Sequence, residues 1–162
     1  MIRRFVHYGS PAFDPERWDE IVNDGLWIKP RGGLWASPVG AKRGWYSWCE
    51  AENFHVELLE EGFYFTLTKD ARILELTPDN IWDLPIVPHA GDHLREWNTA
   101  SRARRTSIMM GLDFERLAQD YDVLECNMSE HPALYWQLYG WDCDCILVLN
   151  KNVIRGVGCE NT

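Results

Sequence analysis

Residues 140–150 read "GWDCDCILVLN", and the reading of this stretch decides the fold. The run Ile146–Leu149 is apolar, rich in β-formers and closed by the turn residues Asn150, Lys151 and Asn152, so it is the strongest strand signal in the chain. A buried strand this late, with no regular alternation of helices and strands before it, argues against a doubly wound parallel sheet. An α+β domain of mostly antiparallel strands with flanking helices is expected. Two carboxylates, Asp142 and Asp144, enter this apolar run two residues apart. In an extended strand they share a face, and burying both without partners is costly. They therefore suggest a polar cleft, the ordinary alternative being an edge strand facing water.

Working outward, "IRRFVHY" at 2–8 and "GLWAS" at 33–37 alternate as short strands. Asp14 followed by Pro15 predicts a helix start, with Phe13, Trp18, Ile21 and Val22 on one face and Gly25 as its stop. "GAKRGWYSWCEAEN" at 40–53 predicts a helix weakened by Gly44, and "FYFTL" with "RILELT" predicts a hairpin. A loop is expected over 79–92, a helix over 92–107, and a short helix in "LDFERLAQDY". "DVLECNM" predicts a strand, "HPALYWQLYG" a short helix or loop. One domain is expected over 1–154, with a polar tail over 155–162.

The composition narrows the class. The chain has 162 residues, 46% hydrophobic and 25% charged, as in an ordinary globular domain. The net charge of −9 opposes general affinity for nucleic acid or membrane surfaces, and the one basic island is "SRARR" at 101–105 with Arg95 upstream. That island suits a solvated helix face or a phosphate clamp. No apolar run is long enough to span a membrane, and "MIRRFVHYGS" lacks a signal peptide's apolar region, so a cytoplasmic protein is expected. The five cysteines are oddly numbered and irregularly spaced, which points to reduced core thiols rather than a disulfide framework or a zinc knuckle. The nine tryptophans serve a core or a pocket for a flat ring equally well.

Three stretches in order carry a family resemblance. Strand one ends in "HYGS", "DGLWIKP" follows, then "GGLWAS", and a carboxylate precedes the late apolar strand. Together they resemble the ADP-ribosyltransferase superfamily, most closely its poly(ADP-ribose) polymerase and diphtheria-toxin-like branch. There the motifs are His-Gly-Ser/Thr, a "GIYFA"-like strand and a late Glu. Here Tyr8 is inserted between His7 and Gly9, Trp35 takes the place of the aromatic tyrosine, and Asp144 is one methylene shorter than Glu. The resemblance spans about residues 3–154. It implies a split sheet of mostly antiparallel strands and NAD as substrate, bound without a metal. It also implies transfer of ADP-ribose to an unidentified acceptor. By the same resemblance, Asp144 is the catalytic carboxylate and His7 holds the adenosine ribose. Trp35 stacks on nicotinamide, while Gly9, Ser10 and Ser37 contact the carboxamide. No G-x-G-x-x-G follows a strand, consistent with a non-Rossmann dinucleotide site.

Other readings stay open at this point. A non-catalytic nucleotide-binding module would use the same cleft, and NAD-dependent removal of an RNA 2′-phosphate would call on the basic island. A metal-dependent hydrolase would use His89, Asp92 and His93 of "HAGDH" with Asp142 and Asp144. The segment 127–141, with Tyr135, Trp136 and Tyr139, is the stretch expected to face an acceptor or to pack in the core.

Overall fold

A computed structural model describes residues 2–23, 29–87 and 111–158. Seven strands form one sheet: β1 (Arg4–Tyr8), β2 (Leu34–Pro38), β3 (Gly62–Leu67), β4 (Ile73–Leu76), β5 (Val123–Cys126), β6 (Cys145–Val148) and β7 (Ile154–Gly158). Their spatial order is β4-β5-β6-β2-β1-β3-β7. Among the described residues, only β4 and β5 pair in parallel; the other strand pairs are antiparallel. Two α-helices are described, α1 (Trp45–Glu52) and α2 (Phe114–Asp120), with short 3-10 turns between strands. The chain is a mixed α and β protein with few helices, and among the described residues no helix is long and apolar enough to cross a membrane.

The sheet is covered on both sides, which is why β6 reads as an unbroken apolar run with all four residues buried. Alternation sends Leu76, Leu124, Cys126, Cys145 and Leu147 to one face, where Phe114 and Leu117 of α2 close over them with Leu134, Leu138 and Trp141. The opposite face carries Phe5, Phe63, Phe65, Val123, Ile146 and Val148. The registers Leu124 with Leu147 and Val123 with Val148 keep the two sets apart. A slip of one residue would exchange them, so the two cores fix the register.

Capping locates both helices. Asp113 precedes α2 and its Oδ1 accepts the Arg116 N–H at 3.0 Å. Helix α1 follows Gly44, which has no side chain to cap with; Ser37 of β2 supplies the oxygen, accepting the Trp45 N–H at 2.8 Å. The helix ends at Asn53 in the left-handed region, φ 52°, with the Phe54 N–H returned to the Cys49 carbonyl at 2.9 Å.

Several expectations are corrected. Only a 3-10 turn, Pro15–Arg17, forms behind the Asp14 cap, and Trp18 is already extended. The backbone that a longer helix would use is engaged elsewhere: the Asp19 carbonyl accepts Gly33 N–H at 3.0 Å, and Val22 pairs with Arg31. Gly32 and Gly33 both adopt positive φ to make this approach. The hairpin between β3 and β4 does not form. β3 is taken on both edges by β1 and β7, and β4 crosses to the far edge beside β5. Ile154–Gly158 is an edge strand, so the polar tail does not begin at 155. The helix expected over 92–107 and the basic island lie outside the described residues.

Candidate active site

The order β6-β2-β1 makes neighbours of the three strands that carry the sequence motifs. At their junction lies an open cavity of about 350 Å³, toward the small end of the range for ligand sites, about 300–1,000 Å³. Val6 and Tyr8 of β1, Trp35 and Ser37 of β2, and Asp142 ahead of β6 all line it. Its walls are mostly apolar and aromatic, with Trp45 of α1 and Trp141 adding indoles.

Trp35 anchors the site. Its indole meets that of Trp141 edge to face, with centroids 4.7 Å apart at 77°, and Trp141 in turn stacks on Phe114 at 6.2 Å. The Lys29 ammonium stands 5.4 Å from the Trp35 ring centroid. A cation over an indole is drawn by the ring's quadrupole, so this face of Trp35 accepts positive charge. Trp45 stacks on Trp48 at 5.2 Å and 19°, and Phe54 meets both edge-on.

His7 needs a more careful placement. Its neighbours across the sheet are Phe63 in register and, through Nδ1, the Trp35 carbonyl at 2.7 Å. The bond to a carbonyl oxygen requires the proton on Nδ1. Burial pushes the imidazole pKa below its usual value, and the Trp35 carbonyl only partly offsets this. Alternation along β1 puts His7 with Phe5 on one face, its ring 5.2 Å from that of Phe63, and puts Tyr8 with Val6 on the face of Trp35 and Ser37. His7 and Tyr8 both contribute to the cavity lining, but Tyr8 shares the sheet face of Trp35. The residue next to Gly9 in "HYGS", treated in the sequence as an insertion, thus shares the cavity and the sheet face of Trp35, with its ring 5.7 Å from that of Tyr46.

The two aspartates part company. Residues 143 and 144 form a bend ahead of β6, so the two-residue period of a strand does not extend back to them. Asp142 is half-buried and lines the cavity. Asp144 is 6% exposed and does not line it. Its Oδ1 accepts the Ser129 N–H at 2.7 Å and its Oδ2 the Ser129 hydroxyl at 2.6 Å, while its own N–H donates to the Arg43 carbonyl at 2.8 Å. The expectation that both carboxylates face one cleft is therefore not met. Asp144 ties the two ends of the 129–144 segment together.

The remaining predicted residues divide. Ser37 lines the cavity, with its oxygen engaged in capping α1. Gly9 and Ser10 do not line it; the Gly9 N–H goes to the Glu61 carbonyl at 2.9 Å and the Ser10 hydroxyl to the Ala12 carbonyl at 2.9 Å. Sequence reasoning missed Tyr8, Lys29, Trp45, Cys143 and Cys145. The period-2 alternation of β1 and β2 was the signal that could have found Tyr8.

The thiols act as wall material. Cys49, Cys126, Cys143 and Cys145 are buried and free, as expected of reduced core residues; Cys159 lies outside the described residues. Burial pushes the Cys49 thiol up to about 11 and the Cys126 thiol up to about 12. The hydrogen bond to Cys143, followed by burial, raises Cys145 well above the usual thiol range. These three thiols stay protonated at neutral pH and make poor nucleophiles there.

His89, Asp92 and His93 lie outside the described residues. Among the described residues, Glu75, Glu130 and His131 bring metal-ligand atoms within 4.8 Å of one another, and none of them lines the cavity. No protein-family model, curated protein or solved structure matches this chain.

Proposed function

We propose that the cavity binds NAD and that the protein is an NAD-dependent ADP-ribosyltransferase, releasing nicotinamide as ADP-ribose passes to an acceptor. The reading rests on one observation. Three motif-bearing strands distant in sequence, β1, β2 and β6, are neighbours in the sheet, and one aromatic cavity takes lining from all three or the turn leading into them. A cavity of this size takes the nicotinamide end of the dinucleotide rather than the whole molecule.

The chemistry follows from the lining. The nicotinamide of NAD is flat and positively charged, and Trp35 presents a ring face already occupied by a cation. The ring displaces the Lys29 ammonium, which is then free to meet the pyrophosphate. Neutral His7 adds no repulsion to the cationic ring. Cleavage of the nicotinamide–ribose bond develops positive charge on the ribose, and a carboxylate beside it lowers the barrier by about 3–4 kcal/mol. In this reading that carboxylate is Asp142, which lines the cavity, in place of the Asp144 implied by the family resemblance. The leaving group is already cationic and needs no acid.

A second reading has its own support. The residue that aligns with the family's glutamate is committed to Ser129, which suits a module that binds the nucleotide without cleaving it. One experiment tests both. Purified protein is incubated with NAD labelled in the adenine moiety, and nicotinamide release, acceptor labelling and NAD binding are followed together. Transfer predicts release and labelling that Asp142→Asn abolishes while NAD still binds. Binding without release identifies the module. No binding at millimolar NAD refutes both.

A further inference from the structure

Residues 132–141 have two faces of opposite character. Leu134, Gln137, Leu138 and Trp141 recur at helical spacing and are all buried. Between them Tyr135, Trp136 and Tyr139 are 38%, 65% and 54% exposed. The inner face anchors the segment in the core, and the Asp144–Ser129 bonds close its base. The three outer aromatics are thus held in place on a supported loop, without being needed to fill the core.

Their arrangement is specific. The Tyr135 ring meets Trp136 at 81° with centroids 5.5 Å apart, and meets Tyr139 at 70° and 6.0 Å. The rings meet edge to face and all three stay partly exposed, so aromatic surface on which a cation can stack remains open to solvent. The charge agrees. Residues 127–144 contain no lysine or arginine, and their exposed carboxylate is Glu130, with Asp142 half-buried and Asp144 buried on Ser129. Lys29 has its ammonium over Trp35. The whole chain carries −9, which disfavours nucleic acid as the occupant.

We propose that Tyr135, Trp136 and Tyr139 form a docking corner for an arginine-bearing segment of a partner protein. A guanidinium stacks on the rings, and the acidic loop supplies the attracting field. Exposed tryptophan and tyrosine are also the residue types that concentrate energy at protein interfaces. The inference is independent of what the cavity holds.

The test uses fluorescently labelled nine-residue peptides of alternating glycine with arginine, lysine or glutamate, and a single-stranded oligonucleotide of similar length. Binding is read by anisotropy at physiological salt. The arginine peptide is expected to bind saturably, the lysine peptide more weakly and the glutamate peptide not at all. Trp136→Ala and Tyr139→Ala should each weaken the arginine peptide at least fivefold, while Trp136→Phe, which keeps a ring face, retains most of the binding. Neither alanine variant should shift the unfolding midpoint or NAD binding. The inference is overturned if the arginine peptide fails to bind, if Trp136→Ala binds it as well as wild type, or if the oligonucleotide binds more tightly.

Discussion

Replacing Asp144 by alanine separates a structural carboxylate from a catalytic one. The side chain accepts two hydrogen bonds from Ser129, at 2.7 and 2.6 Å, and both are charge-assisted. Such bonds contribute about 1.5–3 kcal/mol each when fully enclosed. Ser129 itself is exposed, so its freed N–H and hydroxyl reach water and the loss is smaller. The net cost is about 2–3 kcal/mol. For a chain of this length that lowers the unfolding midpoint by about 4–12 °C. An amide at this position keeps one acceptor oxygen, so Asp144→Asn should cost about half as much. Thermal unfolding by circular dichroism reads both, and titration with NAD below the transition reads the cavity. Stability should fall while NAD affinity stays within threefold of wild type. An Asp144→Ala protein with an unchanged midpoint and lost NAD cleavage would refute the assignment and return Asp144 to the catalytic position.

Two further outcomes follow from the fold. Asp122 is buried and accepts hydrogen bonds from the Arg72 guanidinium, Asn150 and the Arg72 backbone N–H, in that order of effect, which hold its carboxyl well below the usual carboxylate range against the opposing effect of burial. A depressed folded-state pKa stabilises the protein above the unfolded value of about 3.9 and is lost as pH falls through the folded value. Asp122→Asn should therefore lower stability at pH 7 by about 2–4 kcal/mol and flatten the acid limb of the stability curve in urea titrations; an unchanged acid limb would contradict this. Gly33 sits at φ +71°, and an added Cβ would lie 2.7 Å from the Val148 carbonyl oxygen. Gly33→Ala should cost about 2–4 kcal/mol and weaken the β2–β6 junction, whereas a neutral effect in chemical denaturation would mean the turn adapts.

Much of the sheet was legible because its strands have distinct patterns. Ile146–Val148 stands out because both faces of β6 are covered, and β1 and β2 alternate clearly enough to be bounded within two residues. "LDFERLAQDY" was legible as a short helix, and Asp113 caps α2. The failures have physical causes too. The helix behind Asp14 lost to tertiary demand: Gly33 and Arg31 take the backbone of Asp19 and Val22, which no local propensity records. The β3–β4 hairpin failed because pairing partners are chosen across the chain, and "TKDA" lacks the glycine that a tight hairpin turn prefers.

The site was legible as a set of strands more than as a set of atoms. Trp35, Ser37 and His7 line one cavity, while alternation puts Tyr8, and not His7, on the sheet face of Trp35 and Ser37. The error at Asp144 came from extending strand periodicity back through a bend. Lys29 lies in "DGLWIKP" and Trp45 opens α1, yet neither was singled out in the sequence; the fold sets the Lys29 ammonium over Trp35 and brings Trp45 to the same cavity.

The central claim is that NAD seats its nicotinamide among the indoles at the β1–β2–β6 junction. Titration of NAD into ¹⁵N-labelled protein, followed at the tryptophan indole resonances, tests it most directly. Saturable shifts at Trp35, Trp45 and Trp141, with Trp136 and Trp82 unmoved, are predicted. Indole signals that stay still throughout, or shifts confined to Trp136, would contradict it.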